Sequence, residues 1–347
     1  MKYKFIVICG TLIILLLFIS LYASSKSPDE ATYEKYYHKY VDSPEPLAVI
    51  QNRDNQLYKS ASKYIITNPL IPSYTFTYGP HQLQKLDIYV HQGLKPAPVI
   101  FFIHSGYEDK LQVQAAVRQW LSLGYTVISI NHRQISSDKH PQAGPKTTFA
   151  DQREDCFLAL KWVMDNIQKY GADGNRIAIV GTSVGGYMTA LMVTETKWHN
   201  KYGIDIHKIK CWIPMSGFYS LSLQENYLTP IIAGYLDLIK IQSNKDASPI
   251  EYITGKEPPS LIICGRDDWA VPRTNATILY NKLKEKGATT ELAMLKGYMH
   301  TNIFMSYYRE DHIPAKLIKR FLAKYMPTDL NHCTASIICS KQNLTLK

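Results

Sequence analysis

Several features of nucleic-acid-binding proteins are missing from this sequence. The 347-residue chain has a formal net charge of +10, but its lysines are spread along the chain rather than massed in one patch. It contains no zinc-finger, RNA-recognition or glycine-rich phosphate-loop signature, and neither internal repeats nor low-complexity tracts. These absences argue against a nucleic-acid partner. The excess of basic over acidic residues would nevertheless suit an anionic surface such as membrane lipid. With 46% hydrophobic and only 20% charged residues, the chain can bury a large core.

Cysteine is also scarce, and its distribution limits disulfide and metal chemistry. Of the six cysteines, one lies in an apolar N-terminal segment, which leaves an odd number elsewhere. Cys333 and Cys339 are close enough in sequence to suggest a local disulfide near the C-terminus. Cys156, Cys211 and Cys264 lie in apolar surroundings, as is typical of small core residues. These three cysteines are therefore predicted to be core residues rather than redox or metal-binding groups.

Charge is absent from the segment between Phe5 and Tyr22, which follows Lys2 and Lys4. About 18 apolar residues are long for the core of a cleaved signal and just enough for a membrane-spanning helix. Residues 1–25 are therefore predicted to be a signal peptide or an N-terminal membrane anchor. In either case we expect the protein to be exported, and either anchored in the membrane or secreted or periplasmic.

The rest of the chain alternates strand-like and helix-like segments. Residues 26–73 are polar and tyrosine-rich, which indicates a linker or flap. Residues 217–258 interrupt the alternation as a lid-like insertion, for which a plain surface insertion is the alternative. The last residues, 327–347, form a predicted tail. The predicted strands are 75–78, 86–90, 99–103, 126–130, 177–180, 211–215, 260–264 and 290–295, and the main predicted helices are 111–123, 149–170, 273–286 and 313–325. Such alternation predicts an α/β fold whose mostly parallel sheet has helices on both faces.

One turn between a strand and a helix carries a candidate nucleophile. The segment Gly181-Thr182-Ser183-Val184-Gly185-Gly186 follows the apolar run 177–180 and precedes a helix-like segment, as in a nucleophile elbow. Side chains two positions before and after the serine would collide with neighbouring backbone, so glycine is needed at both. Ser183 would then lie at a helix N-terminus, which favours negative charge. A glycine-rich turn without catalytic chemistry remains the alternative for this common pattern.

Acidic and histidine candidates follow two later strands. The strand 260–264 leads into Asp267 and Asp268, and the strand 290–295 leads into His300. Because functional groups gather beyond the carboxyl ends of strands in α/β sheets, these loops are expected beside Ser183. The order serine, acid, histidine is the one this architecture uses. Histidine would take the serine proton, and a carboxylate would orient the imidazole.

The strand 99–103 leads into a candidate oxyanion loop, His104-Ser105-Gly106-Tyr107. A tetrahedral intermediate needs backbone N–H donors for its oxygen. The glycine of this loop can expose N–H groups opposite the N–H of Val184.

Taken together, these motifs resemble the α/β-hydrolases of the esterase and lipase group over residues 74–326. The similarity is to the hormone-sensitive-lipase-like and small bacterial carboxylesterase branches. It rests on the stretches 86–90, 104–107, 155–162, 181–186, 247–250, 265–272 and 297–300. The resemblance implies an eight-stranded, mostly parallel central sheet with helices on both faces and a small lid.

By position, the resemblance implies Ser183 as nucleophile, Asp268 as acid and His300 as base. The family spacing from the acid to the Val-Pro pair at 271–272 selects Asp268 over Asp267, which would then be a loop or capping residue. The oxyanion donors would be the backbone N–H groups of Gly106, Tyr107 and Val184. Positions 105 and 107 depart from the family's usual glycines, which narrows the pocket near the acyl group and disfavours bulky acyl chains and tertiary alcohol esters.

The expected function is a serine carboxylic-ester hydrolase that acts on small or medium esters through an acyl-enzyme intermediate, without metal or cofactor. Its partner would be a small-molecule ester, with membrane association through the N-terminal segment. A second hypothesis is an amidase or peptidase, because residues 185–189 also resemble the elbow of prolyl-oligopeptidase-type enzymes. Fewer than about 80 residues precede the first core strand, too few for the propeller of those enzymes, although arylformamidase-like activity needs none. The third hypothesis is a catalytically inactive exported binding protein on the same fold.

Overall fold

The computed structural model describes residues 45–93, 96–106, 108–134, 147–221 and 245–330. Their core is an eight-stranded sheet with the strand order β1-β2-β4-β3-β5-β6-β7-β8. The pairs β1/β2 and β2/β4 are antiparallel, and the remaining neighbours are parallel. The strands are β1 (Tyr74–Thr77), β2 (Lys85–Tyr89), β3 (Ala97–Ile103), β4 (Thr126–Ile130), β5 (Ala172–Thr182), β6 (Ile209–Met215), β7 (Ser260–Gly265) and β8 (Thr290–Leu295). The predicted eight-stranded, mostly parallel α/β fold is confirmed.

Continuous apolar runs explain the central position of several strands. Every residue of β3 and of β7 is buried, as expected for parallel strands that are covered on both faces. Along β3, Val99, Phe101 and Ile103 point into one hydrophobic cluster, whereas Ile100 and Phe102 point into another. The two clusters lie on opposite faces of the sheet because successive side chains of a strand alternate.

Helices complete the two clusters. The α-helices are α1 (Leu47–Thr67), α2 (Val117–Ser122), α3 (Phe149–Asn166), α4 (Val184–Thr194), α5 (Thr196–Tyr202), α6 (Thr274–Glu285), α7 (Asn302–Met305) and α8 (Ile313–Tyr325). Side chains of α3 and α4 lie in the first cluster, and those of α8 lie in the second. The predicted helix 111–123 is divided into a 3-10 turn, Lys110–Ala115, and α2.

The prediction of a linker or flap over residues 26–73 is corrected in part by the structure. Residues 47–67 of this segment form the 21-residue helix α1. The buried positions of this helix are Leu47, Ile50, Asp54 and Ala61. Their spacing of three, four and seven residues is helical. The buried face is narrow and carries a carboxylate, so the apolar periodicity that indicates a helix is weak in the sequence.

Several predictions fall on residues outside the described ranges. These are the N-terminal segment 1–25, residues 222–244 of the insertion, the tail from 331 and its cysteines Cys333 and Cys339. Residues 217–221 and 247–250 of the insertion are buried, and Leu221 donates its N–H to the Ser248 hydroxyl at 2.7 Å. Within the described ranges, no helix is long and apolar enough to cross a membrane.

Candidate active site

Ser183 occupies the tight turn between β5 and α4. Its backbone has φ +56° and ψ −119°, a conformation that is strained for a residue with a side chain. Two hydrogen bonds hold the turn: Ser183 N–H donates to the Met215 carbonyl at 2.8 Å, and Tyr187 N–H donates to the Ser183 carbonyl at 3.0 Å. The sequence pattern thus forms the predicted elbow, with the serine at the first turn of a helix.

The glycines beside Ser183 are required by close backbone contacts. A Cβ added at Gly181 would lie 2.2 Å from the carbonyl oxygen of Gly185. A Cβ at Gly185 would lie 2.1 Å from the carbonyl oxygen of Ile103 and 2.6 Å from that of His104. These contacts place the start of α4 directly against the end of β3, where the oxyanion loop begins.

Gly185→Ala is therefore expected to destabilise the protein by about 3 kcal/mol or more, because backbone atoms would have to move to admit the methyl group. Urea unfolding measures this loss. Gly93→Ala is the matched control, since the added Cβ would meet only the His91 ring, at 3.3 Å. An unfolding midpoint of Gly185→Ala equal to that of the wild type would contradict this description of the turn.

The structure brings Ser183, His300 and Asp268 together. His300 Nε2 lies 2.9 Å from Ser183 Oγ, and His300 Nδ1 lies 3.0 Å from each carboxylate oxygen of Asp268. The three side chains follow β5, β8 and β7, whose carboxyl ends lie at one edge of the sheet. In this chain of hydrogen bonds the imidazole can accept the hydroxyl proton while the carboxylate orients it.

Asp268, and not Asp267, contacts the imidazole. The Asp268 side chain is buried, and its Oδ1 accepts the N–H groups of Ala270 at 3.0 Å and Val271 at 2.8 Å, which fix its direction. Asp267 points elsewhere, and its Oδ2 accepts the Gly297 N–H at 3.0 Å in the loop that leads to His300. Its contact is that of a capping residue.

The surroundings of His300 stabilise the protonated imidazole more than water would. Burial is the largest single influence and lowers the pKa of the imidazole. The charge and hydrogen bond of Asp268, together with the charge of Asp54, act in the opposite direction and outweigh it. The pKa of His300 is therefore raised above its ordinary value.

Two of the three predicted oxyanion donors lie in the described part of the chain. Val184 is the first residue of α4, where a backbone N–H has no acceptor within the helix. Gly106 lies just beyond β3, and Tyr107 lies outside the described residues. The neighbouring Ser105 is held by Gln112, whose Oε1 accepts the Ser105 N–H at 2.8 Å and whose Nε2 donates to the Ser105 hydroxyl at 3.0 Å.

Sequence reasoning missed two polar residues that are tied to this site. Gln112 contacts the oxyanion loop, and Asp54 of α1 contacts the loop of His300. Neither belongs to a recognisable motif. For Asp54 the available signal was its position on the same helical face as Leu47 and Ile50.

Within the described ranges, no three or more histidine, cysteine, aspartate or glutamate side chains lie close enough together to hold a metal ion. Cys156, Cys211 and Cys264 are buried and free, as predicted for core cysteines. Burial raises the pKa of the Cys264 thiol to about 12, which disfavours the thiolate that metal binding requires.

Comparison with known proteins agrees with this architecture. A model of the BD-FAE family matches residues 86–283, more than half of the chain. The matched region extends from β2 to α6 and includes Ser183 and Asp268.

Among curated proteins, the chain is similar to the "Probable carboxylic ester hydrolase LipM" of Mycobacterium tuberculosis, with 26% identity over 272 residues that cover 73% of this chain and 61% of that protein. It is also similar to the "Probable isoprenylcysteine alpha-carbonyl methylesterase ICME" of Oryza sativa, with 24% identity over 66% of this chain and 58% of that protein. The chain thus spans about three fifths of the length of these relatives.

Solved structures share the fold. Thermogutta terrifontis esterase 2, phosphonylated by sarin, matches with a TM-score of 0.64 and 20% identity, over 75% of this chain and 98% of that one. The hyperthermophilic esterase of Pyrobaculum calidifontis matches with a TM-score of 0.60 and 19% identity, over 80% of this chain and 92% of that one.

Proposed function

Because the chain belongs to the BD-FAE family, of the α/β-hydrolase type, we propose that it is a serine carboxylic-ester hydrolase for small or medium esters. The observation that carries this proposal is the hydrogen-bonded chain Asp268, His300 and Ser183, with the hydroxyl 2.9 Å from the imidazole. The esterases among its relatives and structural neighbours support the same reaction class.

In the first half of the reaction, Ser183 Oγ attacks the ester carbonyl carbon while His300 Nε2 takes the hydroxyl proton. Asp268 stabilises the imidazolium that forms. The tetrahedral intermediate collapses with cleavage of the carbon–oxygen bond to the alcohol, and His300 returns its proton to that oxygen. The alcohol leaves, and the acyl group stays on Ser183 as an ester.

In the second half, water replaces the alcohol. His300 takes a proton from water, whose oxygen attacks the acyl carbon, and the proton then passes to Ser183 Oγ as its bond to the acyl group breaks. The carboxylic acid is released and the hydroxyl is restored. In both halves the negative oxygen of the intermediate would be bound by the N–H groups of Val184 and Gly106, with Tyr107 as the further proposed donor.

A fluorophosphonate probe tests whether Ser183 is an activated nucleophile. We expect the full-length protein to be labelled at Ser183, and Ser183→Ala to prevent labelling. Ser216 is a matched control, because it is a second non-glycine residue with positive φ, at +44°, and Ser216→Ala should still be labelled. Failure of the wild type to react would favour an inactive protein on the same fold.

A substrate comparison separates the esterase from an amidase or peptidase. We expect a short p-nitrophenyl ester to be cleaved and an aminoacyl p-nitroanilide of similar size to be cleaved far more slowly. Faster cleavage of the anilide would overturn the ester assignment. A panel of esters of increasing acyl length then measures the acyl length that the site accepts.

The pH dependence of kcat/KM follows from the raised pKa of His300. The imidazole must be neutral to accept the serine proton, so activity should be present at high pH and be lost as pH falls through the pKa of His300. We expect this acid limb to lie above about 6.5, the ordinary value for histidine. Initial rates from about pH 5 to about pH 9 measure it, and a limb below the ordinary value would contradict the electrostatic description.

We also propose that the protein works outside the cytoplasm. The support is the uncharged segment from Phe5 to Tyr22, preceded by two lysines. Fractionation of cells that express the full chain, followed by N-terminal sequencing, tests this proposal. Retention of intact protein in the soluble cytoplasmic fraction would overturn it.

A further inference from the structure

Helix α1 reaches the candidate active site from outside the region that the family model matches. Leu47 and Ile50, at its N-terminal end, pack in a small apolar cluster with Trp269, Ala270 and Met299. These partners belong to the two loops that carry Asp268 and His300. One helix thus contacts both loops.

Asp54 is the polar centre of this contact. Its side chain is buried, with 1% exposure, and its oxygens accept hydrogen bonds from both loops. Oδ2 accepts the Trp269 indole N–H at 2.9 Å and the Thr301 backbone N–H at 3.1 Å. Oδ1 accepts the Thr301 hydroxyl at 2.5 Å and the Asn302 N–H at 3.2 Å.

An ionised carboxylate can accept all four hydrogen bonds. Three of the donors are N–H groups, which cannot accept a proton, and of the four only the Thr301 hydroxyl could accept a hydrogen bond from a protonated carboxyl. Burial is the largest influence on Asp54 and holds its pKa above the ordinary value, although the hydrogen bonds with Thr301 and Trp269 and the charge of His300 act in the opposite direction. The charge of Asp54 also raises the pKa of His300.

Two of the donor residues are direct sequence neighbours of Asp268 and His300. Trp269 follows Asp268, and Thr301 follows His300. A shift of either loop would change the distance of 3.0 Å between His300 Nδ1 and the Asp268 oxygens, or that of 2.9 Å between His300 Nε2 and Ser183 Oγ.

We propose that Asp54 is a positioning residue, which holds the loops of Asp268 and His300 in register and adds a second negative charge near the imidazole. This inference rests on the proposed function, because it assigns Asp54 a part in the same proton transfer. Asp54 does not contact the reacting atoms. It acts through Trp269 and Thr301, and through its charge.

Asp54→Asn in the full-length protein is the main test. We expect kcat to fall about 100-fold with KM little changed, since a misplaced catalytic group loses rate rather than binding. We expect the acid limb of kcat/KM to move to lower pH, because the lost charge no longer raises the pKa of His300. Asp54→Glu restores the charge, so its acid limb should return toward that of the wild type even where kcat does not.

Two control variants separate positioning from plain stability. Asp165→Asn makes the same substitution at an exposed position of α3 and should leave kcat and the pH profile unchanged. Leu160→Ala removes packing from α3 in the first hydrophobic cluster, which does not include the contacts of α1 with the two loops, so it should lower thermal stability without moving the acid limb. If Asp54→Asn lowers only thermal stability, with wild-type kcat and acid limb, the inference is wrong.

Two further variants apply if Asp54→Asn does not fold. Trp269→Phe and Thr301→Val each remove one donor, and each should lower kcat while KM is kept; unchanged kcat in both would overturn the inference. Failure of the proposed function is distinguished by the wild type, which would then neither hydrolyse esters nor react with the fluorophosphonate. In that case the role of Asp54 is tested by NMR titration of the His300 imidazole in the wild type and in Asp54→Glu, Trp269→Phe and Thr301→Val. If the pKa and the chemical shift of the imidazole were the same in every variant as in the wild type, the proposal would be contradicted.

Discussion

Replacement of His300 by alanine is expected to lower kcat for a short p-nitrophenyl ester by about 10⁵-fold or more. Without the imidazole, the Ser183 hydroxyl has no base at 2.9 Å to take its proton, and a serine hydroxyl is a very weak nucleophile at neutral pH. The effect should approach that of Ser183→Ala, because the two groups act as a unit. Steady-state kinetics and a thermal melt, run on the same preparation, separate lost chemistry from lost folding.

The matched control for this prediction is His207→Ala. His207 is exposed, in a 3-10 turn before β6, and its loss should leave kcat within about twofold of the wild type. A His300→Ala protein that folds normally and keeps most of its activity would require another base. The assignment of the hydrogen-bonded chain as the reactive centre would then be wrong.

Asp268→Asn is expected to lower kcat by about 10⁴-fold, because an amide disfavours the imidazole tautomer that accepts the serine proton and no longer stabilises the imidazolium. Asp268→Asn also removes the main charge that raises the pKa of His300. The acid limb of kcat/KM should therefore move to lower pH as activity falls.

Asp267→Asn is the neighbouring control, and its expected loss of kcat is less than about tenfold. The amide oxygen that this substitution introduces can still accept the Gly297 N–H, which is the contact that Asp267 makes at 3.0 Å. Kinetics on the two variants side by side decide between the carboxylates. A severe loss at 267 with a mild loss at 268 would move the acid assignment by one residue.

The sheet was predictable because its signals are local. Two strands, β4 and β8, begin and end where the sequence predicts, and the others differ by a few residues at their ends. The β-branched and apolar runs of inner strands such as β3 and β7 leave little choice, because these strands are buried on both faces, whereas the edge strands β1 and β8 are more exposed. The elbow at Ser183 was predictable for a similar reason, since the glycines at 181 and 185 are demanded by contacts under 3 Å to backbone atoms.

The contribution of α1 was not predictable, because it depends on tertiary contacts. Much of this helix is polar, and the residue that matters most in it, Asp54, is a carboxylate on the buried face. A buried aspartate has no sequence signature until its donors are known, and here they lie on loops far along the chain. The role of Gln112 at Ser105 is hidden in the same way.

The tie between α1 and the loop after β8 also bears on the order in which the molecule folds. Asp54 and Thr301 are separated by 247 positions, so their contact closes a loop that contains all eight strands of the sheet. Such closure carries a larger entropic cost than the pairing of neighbouring strands. The contact between Asp54 and Thr301 therefore cannot form until all eight strands have been synthesised.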